Sequence, residues 1–455
     1  MKLAIIGAGS SRLPLMLASL AQVSRDLGLA EVSLYDLKPE RIEALLPVAQ
    51  ALAARCGTLP RIRTSATPRD AVGGAGVVIL TARPGFEQAR ARDERTCVDL
   101  GVIGQETTGP AGFAFAARSI PVAIEYGVLA AAQNPACLVL VFMNPAGMVT
   151  QALREAGVEH AVGVCDSAMA VAERVSRDLP RGCVDARVLG LNHLSWTLLI
   201  RAGGRDLLRE VLDDETRLRE VSPWFAPEFV RTLGCIPNEY LVYFYRTDEV
   251  LRAIASEPLT RGEALVQQNR ALFSDLVALR AAGNLDAAVV RYAHYVAARN
   301  DTYLEYARTR ATCDSTARIR TVEDAIRSLR DSLGGYAGIA VELLKGLRGT
   351  SDRSVVLNVP GCDVIRGLDP DDVVEVDCDV GPAGIRPRPG PSLGPAELEL
   401  VLRVKEYERL AIRAILERSA SLAEQALCAH PLVPSREAAR RLVASLPDLR
   451  DLGIS

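Results

Sequence analysis

Of the four histidines in this chain, His193 stands in Gly190-Leu191-Asn192-His193-Leu194-Ser195-Trp196, at the end of an apolar run. Cys165 occupies a similar place after Val162–Val164, with Asp166 directly behind it, and Asn144 ends a third apolar run just before Pro145. A thiol and an imidazole are suitable ligands for a borderline-soft divalent cation. Two protein donors leave such an ion undercoordinated, so substrate oxygens or water must complete its shell, and an open shell serves catalysis. A small buried cysteine and a hydrogen-bonded core histidine remain the alternative. Asn144, Asp166 and Asn192 argue against it, because an apolar core does not tolerate polar groups without partners. His160, His294 and His430 read as structural or solvated.

Tyr240, Tyr243 and Tyr245 cluster in Ile236-Pro237-Asn238-Glu239-Tyr240-Leu241-Val242-Tyr243-Phe244-Tyr245. At helical spacing they are either a core face or a source of one phenol for base catalysis, its pKa lowered by nearby positive charge. The residues alone do not select which tyrosine. Arg83, Arg90 and Arg261 are candidate anion binders. Arg261 follows Thr260, an N-cap type, so its guanidinium and a helix N-terminus would coincide.

These residues need a scaffold that brings them to one edge. Leu3–Ile6 is an apolar run followed by Gly7-Ala8-Gly9-Ser10-Ser11, and Glu31–Asp36 is a second strand ending on an acid. A Gly-x-Gly turn between strand and helix lets backbone N–H groups approach a pyrophosphate, and Asp36 would bind the adenosine ribose hydroxyls. The third glycine of the usual pattern is replaced by Arg12. An acid at position 36 favours NAD over NADP. Runs at 76–80, 137–142, 162–164 and 187–191 continue the series, separated by helical stretches. The expected fold is α/β, a Rossmann-like doubly wound parallel sheet with its active edge at the strand carboxyl ends.

From about residue 200 the chain becomes helical in periodicity, over roughly 205–220, 260–310, 322–347 and 393–447, with a β insert at 354–358 and 373–380. The expected division is 1–200 for NAD binding and 201–455 for a mainly helical α+β substrate and oligomerisation domain. Residues 310–320 read as an exposed loop.

Composition narrows the class. A chain of 455 residues, 49% hydrophobic and 24% charged, is ordinary for a globular enzyme. A net charge of −3 makes nucleic acid an unexpected partner. No apolar run is expected to span a membrane, and Leu3–Ile6 is too short for a signal-peptide core. Ten cysteines without a C-x-x-C pair fit a cytoplasmic protein with core cysteines rather than disulfides.

Taken together the motifs resemble glycoside hydrolase family 4, and within it the 6-phospho-β-glucosidases. The resemblance runs from Gly7–Ser11 with Pro14, through Arg83-Pro84-Gly85, Arg90 and Asp93-Glu94, to Gly101–Pro110 and Arg118–Pro121. It continues in Asn144-Pro145-Ala146, Cys165-Asp166, Gly190–Trp196, Tyr240-Leu241, Thr260-Arg261, Asn358-Val359-Pro360 and Ala429–Val433. It implies a glycosidase using NAD and a divalent metal, usually manganese, in which C3 of the sugar is oxidised and the C2 proton becomes acidic. The aglycone then leaves by elimination, water adds, and C3 is reduced again, outside the usual two-carboxylate scheme. Tyr240 matches the family's base, Asp166 a residue that serves as acid in some members, and Cys165 and His193 the metal ligands. Glu106, Asn144 and Asn192 fall on the sugar side, and Arg90 and Arg261 match positions associated with the 6-phosphate. The implied partner is a phosphorylated disaccharide or glucoside, and the implied assembly a homodimer or homotetramer. Asp166-Ser167 is more usual in α-cleaving members, whereas the Gln105–Pro110 run favours β. Leu333 stands where an Arg is expected. The rival readings are a 6-phospho-α-glucosidase, a plain NAD-dependent dehydrogenase, and a non-catalytic sugar-phosphate or NAD-binding regulator.

Overall fold

Short strands that are apolar on both faces and separated by helices build a buried parallel sheet. In the computed structural model, which describes residues 1–176, 184–308 and 315–453, that sheet begins with six strands. They are β1 (Lys2–Ile6), β2 (Glu31–Tyr35), β3 (Arg61–Thr64), β4 (Val77–Leu80), β5 (Leu138–Val141) and β6 (Ala161–Gly163). All are parallel, in the order β3-β2-β1-β4-β5-β6. This is the dinucleotide-binding order, with its crevice at the carboxyl ends of β1 and β4 where the winding reverses. The Rossmann-like α/β fold is therefore the one expected. β3, Arg61-Ile62-Arg63-Thr64, was not expected. It is an edge strand, mostly exposed and charged, and carries little apolar signal.

Beyond β6 the sheet turns antiparallel. β7 (Asp185–Leu191) and β8 (Leu194–Ala202) form a hairpin, β9 (Arg205–Asp206) and β10 (Ile236–Pro237) pair with β8, and β11 (Val355–Pro360), β12 (Val373–Gly381) and β13 (Gly384–Pro387) follow. β11 lies against β6 through Asn358 and Gly163, β12 against β11, and β7 against β12, all antiparallel. β13 pairs with β12. The run at 187–191 is thus not a further parallel strand. Only Asn192 and His193 connect it to β8, and a two-residue connection permits antiparallel pairing alone. Strands from either side of residue 200 share one continuous sheet.

The helical stretches are real but interrupted. The 322–347 stretch divides into Val322–Asp331 and Gly335–Leu347, and 393–447 into Pro395–Leu416, Ala420–Ala429 and Arg436–Ser445. Ser419 and Ser435 each cap the next helix through their side chains. The loop expected at 310–320 lies partly outside the described residues. Its second half is not wholly exposed, because Ile319 is buried and its carbonyl lies 2.8 Å from His294 Nε2. Pro110–Gln133 is one helix long and apolar enough to cross a membrane by length and composition, contrary to expectation, but just over half of its apolar window is buried within the protein. Among the described cysteines, Cys97, Cys137, Cys165, Cys235 and Cys378 are buried.

Candidate active site

Gly7 ends β1 with φ +91°, and a Cβ there would meet the Ala82 backbone at 2.4 Å, so the turn into the first helix requires glycine. The Gly9 N–H donates to Asp36 Oδ2 (2.7 Å) and the Lys38 N–H to Asp36 Oδ1 (2.8 Å). Burial pushes the Asp36 carboxyl up, against the pull of those two N–H groups. Gly7, Gly9, Ser10, Ser11 and Asp36 line one cleft. Ser11 is held from the far side by helix Leu285–Asp301, whose Tyr292 hydroxyl donates to the Ser11 carbonyl (2.7 Å) and whose Tyr295 hydroxyl lies 2.9 Å from Ser11 Oγ while donating to Asn269 Oδ1 (2.6 Å). Glycine backbone, two serines and a carboxylate at the end of β2 are the donor and acceptor set that a dinucleotide needs.

This cleft shares Arg12, Arg90, Asn144, Leu265 and Arg299 with an adjoining cavity of about 310 Å³. Cys165 follows β6 and His193 sits in the β7–β8 turn with φ +63°. Both are buried behind the cavity wall, and a phenol links them. The Tyr240 ring stacks on the His193 imidazole at 3.7 Å between centroids and 10° between planes, and negative charge on Cys165 would raise the Tyr240 phenol. The 3₁₀ turn Glu239–Leu241 presents Tyr240. Asn238 Oδ1 accepts the Tyr240 N–H (3.0 Å), and Asn238 Nδ2 donates to Ser167 Oγ (3.1 Å), which lies 3.3 Å from Cys165 Sγ. Burial drives the Cys165 thiol up and the His193 imidazole down to about 3, so both are neutral here. A neutral imidazole is the form that ligates a metal, and a thiol must lose its proton to do so. Among the described residues no group of three or more His, Cys, Asp or Glu side chains could hold a metal.

Glu106, Asn144, Asp166 and Tyr240 line the cavity. Burial works to raise the Glu106 carboxyl, but the guanidinium groups of Arg83 and Arg90 outweigh it and hold it well below the carboxylate range. Arg90 is itself committed, with Nε 2.7 Å from Glu94 Oε1 and Nη1 2.8 Å from Glu106 Oε1. Asn144 Oδ1 is buried with no hydrogen-bond partner among the described residues, an acceptor left to be satisfied. Burial raises the Asp166 carboxyl, opposed by the Arg12 guanidinium. Arg261 also lines the cavity, its Nη2 donating to the Arg299 carbonyl (2.8 Å). Burial and the positive charge of Arg299 and Arg90 pull its pKa down to about 10.

Among the residues expected on the sugar side, Asn192 does not line the cavity. Its Nδ2 donates to Glu375 Oε1 (3.2 Å), so it supports the turn from behind. Of the three tyrosines, Tyr240 and Tyr243 reach the cavity, while Tyr245 accepts a bond from Trp196 Nε1 (3.2 Å). Arg12, Arg299, Tyr303 and Tyr336 line it as well. Arg12 carried a signal, since it stands where a third glycine is usual. Tyr336 falls in the segment after Leu333 that the resemblance sets on the substrate side, while Arg299 and Tyr303 sit inside ordinary helical periodicity and carried none.

Two family models cover this chain. The family 4 glycosyl hydrolase model matches residues 2–180, and the family 4 glycosyl hydrolase C-terminal domain model matches residues 188–433. The chain belongs to glycosyl hydrolase family 4. It is 26% identical to the 6-phospho-beta-glucosidase BglT of Thermotoga maritima over 98% of this chain and 97% of that one. It is 24% identical to the phospho-alpha-glucosidase PagL of Clostridium acetobutylicum, covering 97% and 96%. The structure of the Thermotoga maritima 6-phospho-beta glucosidase with NAD and glucose-6-phosphate superposes with a TM-score of 0.79 at 26% identity, over 99% of this chain and 98% of that one. The same enzyme with manganese, NAD+ and glucose-6-phosphate gives 0.78 at 26% identity, over 98% and 97%.

Proposed function

We propose that this family 4 member is a 6-phospho-β-glucosidase dependent on NAD and a divalent cation, Mn²⁺ in the first instance. One observation carries the reading. Tyr240, stacked on His193 and tied through Asn238 and Ser167 to Cys165, faces a cavity that opens into the Gly7–Asp36 cleft. Bound there, NAD⁺ supplies reversible oxidation at C3 of the sugar and the cation supplies Lewis-acid stabilisation of the sugar oxygens. Gly7, Gly9, Ser10, Ser11 and Asp36 would hold the dinucleotide, and Cys165 and His193 the cation.

The remaining roles belong to the cavity wall. Burial keeps the Tyr240 phenol protonated, its pKa well above the ordinary value, until positive charge enters the cavity and lowers it. It can then take the proton at C2, which is the base's task in the elimination. Asn144 Oδ1 accepts from a sugar hydroxyl, and the anionic Glu106, oriented by Arg83 and Arg90, accepts from another. Arg261, beside Arg299, meets the 6-phosphate with guanidinium donors whose mutual repulsion a dianion relieves. Arg90 acts on the substrate through Glu106. Asn192 holds the His193 turn in place through Glu375.

A second reading, 6-phospho-α-glucosidase, is favoured by Asp166, whose carboxyl is raised by burial, the direction a general acid requires. Nitrophenyl 6-phospho-β- and α-glucosides, each with NAD⁺ and Mn²⁺, separate the two. The β-substrate is expected to be cleaved without net NADH formation. Cleavage of the α-substrate alone overturns the anomer, and accumulating NADH makes the protein a dehydrogenase. The proposal extends to a division of labour between residues 1–200 and 201–455, to a homodimer or homotetramer, and to a cytoplasmic setting, where charged sugar phosphates are retained.

A further inference from the structure

The loop before helix Pro110–Gln133 contains a hydrogen-bond arrangement whose direction is determined by counting protons. Gln105 Oε1 accepts from the Thr107 N–H (2.7 Å), the Thr108 N–H (2.8 Å) and the Thr107 hydroxyl (2.8 Å). Two of these donors are backbone N–H groups, which can only donate, so the Gln105 atom between them is the oxygen. The third partner must therefore donate as well, and the Thr107 hydroxyl has one proton to give. Thr107 Oγ1 also lies 2.8 Å from His193 Nδ1. With its proton committed to Gln105, it can only accept there, so the imidazole proton sits on Nδ1 and the lone pair on Nε2.

We propose that Thr107, oriented by Gln105, is a positioning residue that fixes the His193 imidazole in the tautomer whose Nε2 is free to ligate a divalent cation. This rests on His193 being a metal ligand. A ligating histidine commonly donates its second ring N–H to a neighbouring acceptor, and loss of that acceptor weakens metal binding about 10–100-fold. Burial deepens the effect, because His193 is only 4% exposed and a buried ring N–H left without its acceptor costs the full desolvation penalty. Thr107 itself has little room to move. A Cβ on Gly112, in the first turn of the following helix, would lie 2.5 Å from the Thr107 carbonyl carbon, so the helix presses directly on this residue.

Two measurements test the proposal. In the metal-free full-length protein with nitrogen-15-labelled histidine, a long-range proton–nitrogen correlation spectrum should show His193, assigned with a His193→Gln variant, protonated at Nδ1. Protonation at Nε2 overturns the proposal without reference to any metal. By isothermal titration with Mn²⁺ in the presence of NAD⁺ and glucose 6-phosphate, Thr107→Val should bind about 10–100-fold more weakly. Thr107→Ser, which keeps the acceptor, should bind like wild type. Wild-type affinity in Thr107→Val overturns the positioning role. A wild-type protein with the expected tautomer and no Mn²⁺ binding overturns instead the assignment of His193 as a ligand.

Discussion

If Arg261 meets the 6-phosphate as proposed, replacing it with methionine should make the empty protein more stable and its binding of glucose 6-phosphate weaker. Burial and the neighbouring Arg299 and Arg90 pull the Arg261 pKa from an ordinary 12.5 to about 10, which is about 3 kcal/mol against the charged form. The side chain recovers part of this by bonding to Thr302 Oγ1 and to the Arg299 carbonyl, at about 1 kcal/mol each. Partial exposure screens the penalty further. The balance favours Arg261→Met by roughly 1 kcal/mol, a rise in Tm on the order of 1–2 °C for a chain of this size. Thr260 and Glu263 make a complete capping box, so the helix start survives the change. Binding moves the other way. A lost charge-assisted bond to phosphate is worth about 1.5–3 kcal/mol, so affinity for glucose 6-phosphate should fall about 10–100-fold. Thermal unfolding with and without glucose 6-phosphate, alongside calorimetric titration, reads both effects. A variant that melts earlier when empty and binds glucose 6-phosphate as wild type does would refute the reasoning.

Tyr240→Phe should cut turnover of the 6-phosphoglucoside about 10²–10⁴-fold while leaving NAD⁺ affinity unchanged, and exchange of the C2 proton with deuterated solvent should stop. Undiminished exchange would remove Tyr240 as the base. Glu375 is fully buried, hydrogen-bonded to Ser195, Asn192 and Asn358, and burial raises its pKa to about 7. A folded-state pKa above the unfolded one binds protons more tightly in the native state, so this stabilisation is complete below about pH 4.5 and is lost as pH rises through about 7. Glu375→Gln should accordingly be more stable relative to wild type at pH 8 than at pH 5 in urea titrations. An unchanged difference between the two pH values would contradict the shift.

The dinucleotide half was legible because its strands are apolar runs with glycine or acid at their ends, and the period of such runs survives without any knowledge of partners. The antiparallel half was not. β7 and β8 read as apolar like their neighbours, and nothing local says that β11 and β12, more than 150 residues later, come between β6 and β7. At the site, Cys165, His193 and Tyr240 could be singled out because cysteine, histidine and clustered tyrosine are chemically conspicuous. Arg299 and Tyr303 are unremarkable in a chain rich in arginine, and only the fold brings them to the cavity. Arg90 illustrates a different limit. Its type suggests an anion partner, and the partners it has are Glu94 and Glu106.

The placement of β11 and β12 has a consequence for biosynthesis. The hairpin carrying His193 attaches to the nucleotide half through strands that end at Gly381, so the two halves of the reaction centre join only when most of the polypeptide has left the ribosome. A chain terminated near residue 350 would retain the glycine turn, Cys165, His193, Tyr240 and Arg261, yet lack the seam that sets them against one another. Splitting this protein into portable modules at residue 200 would sever that seam.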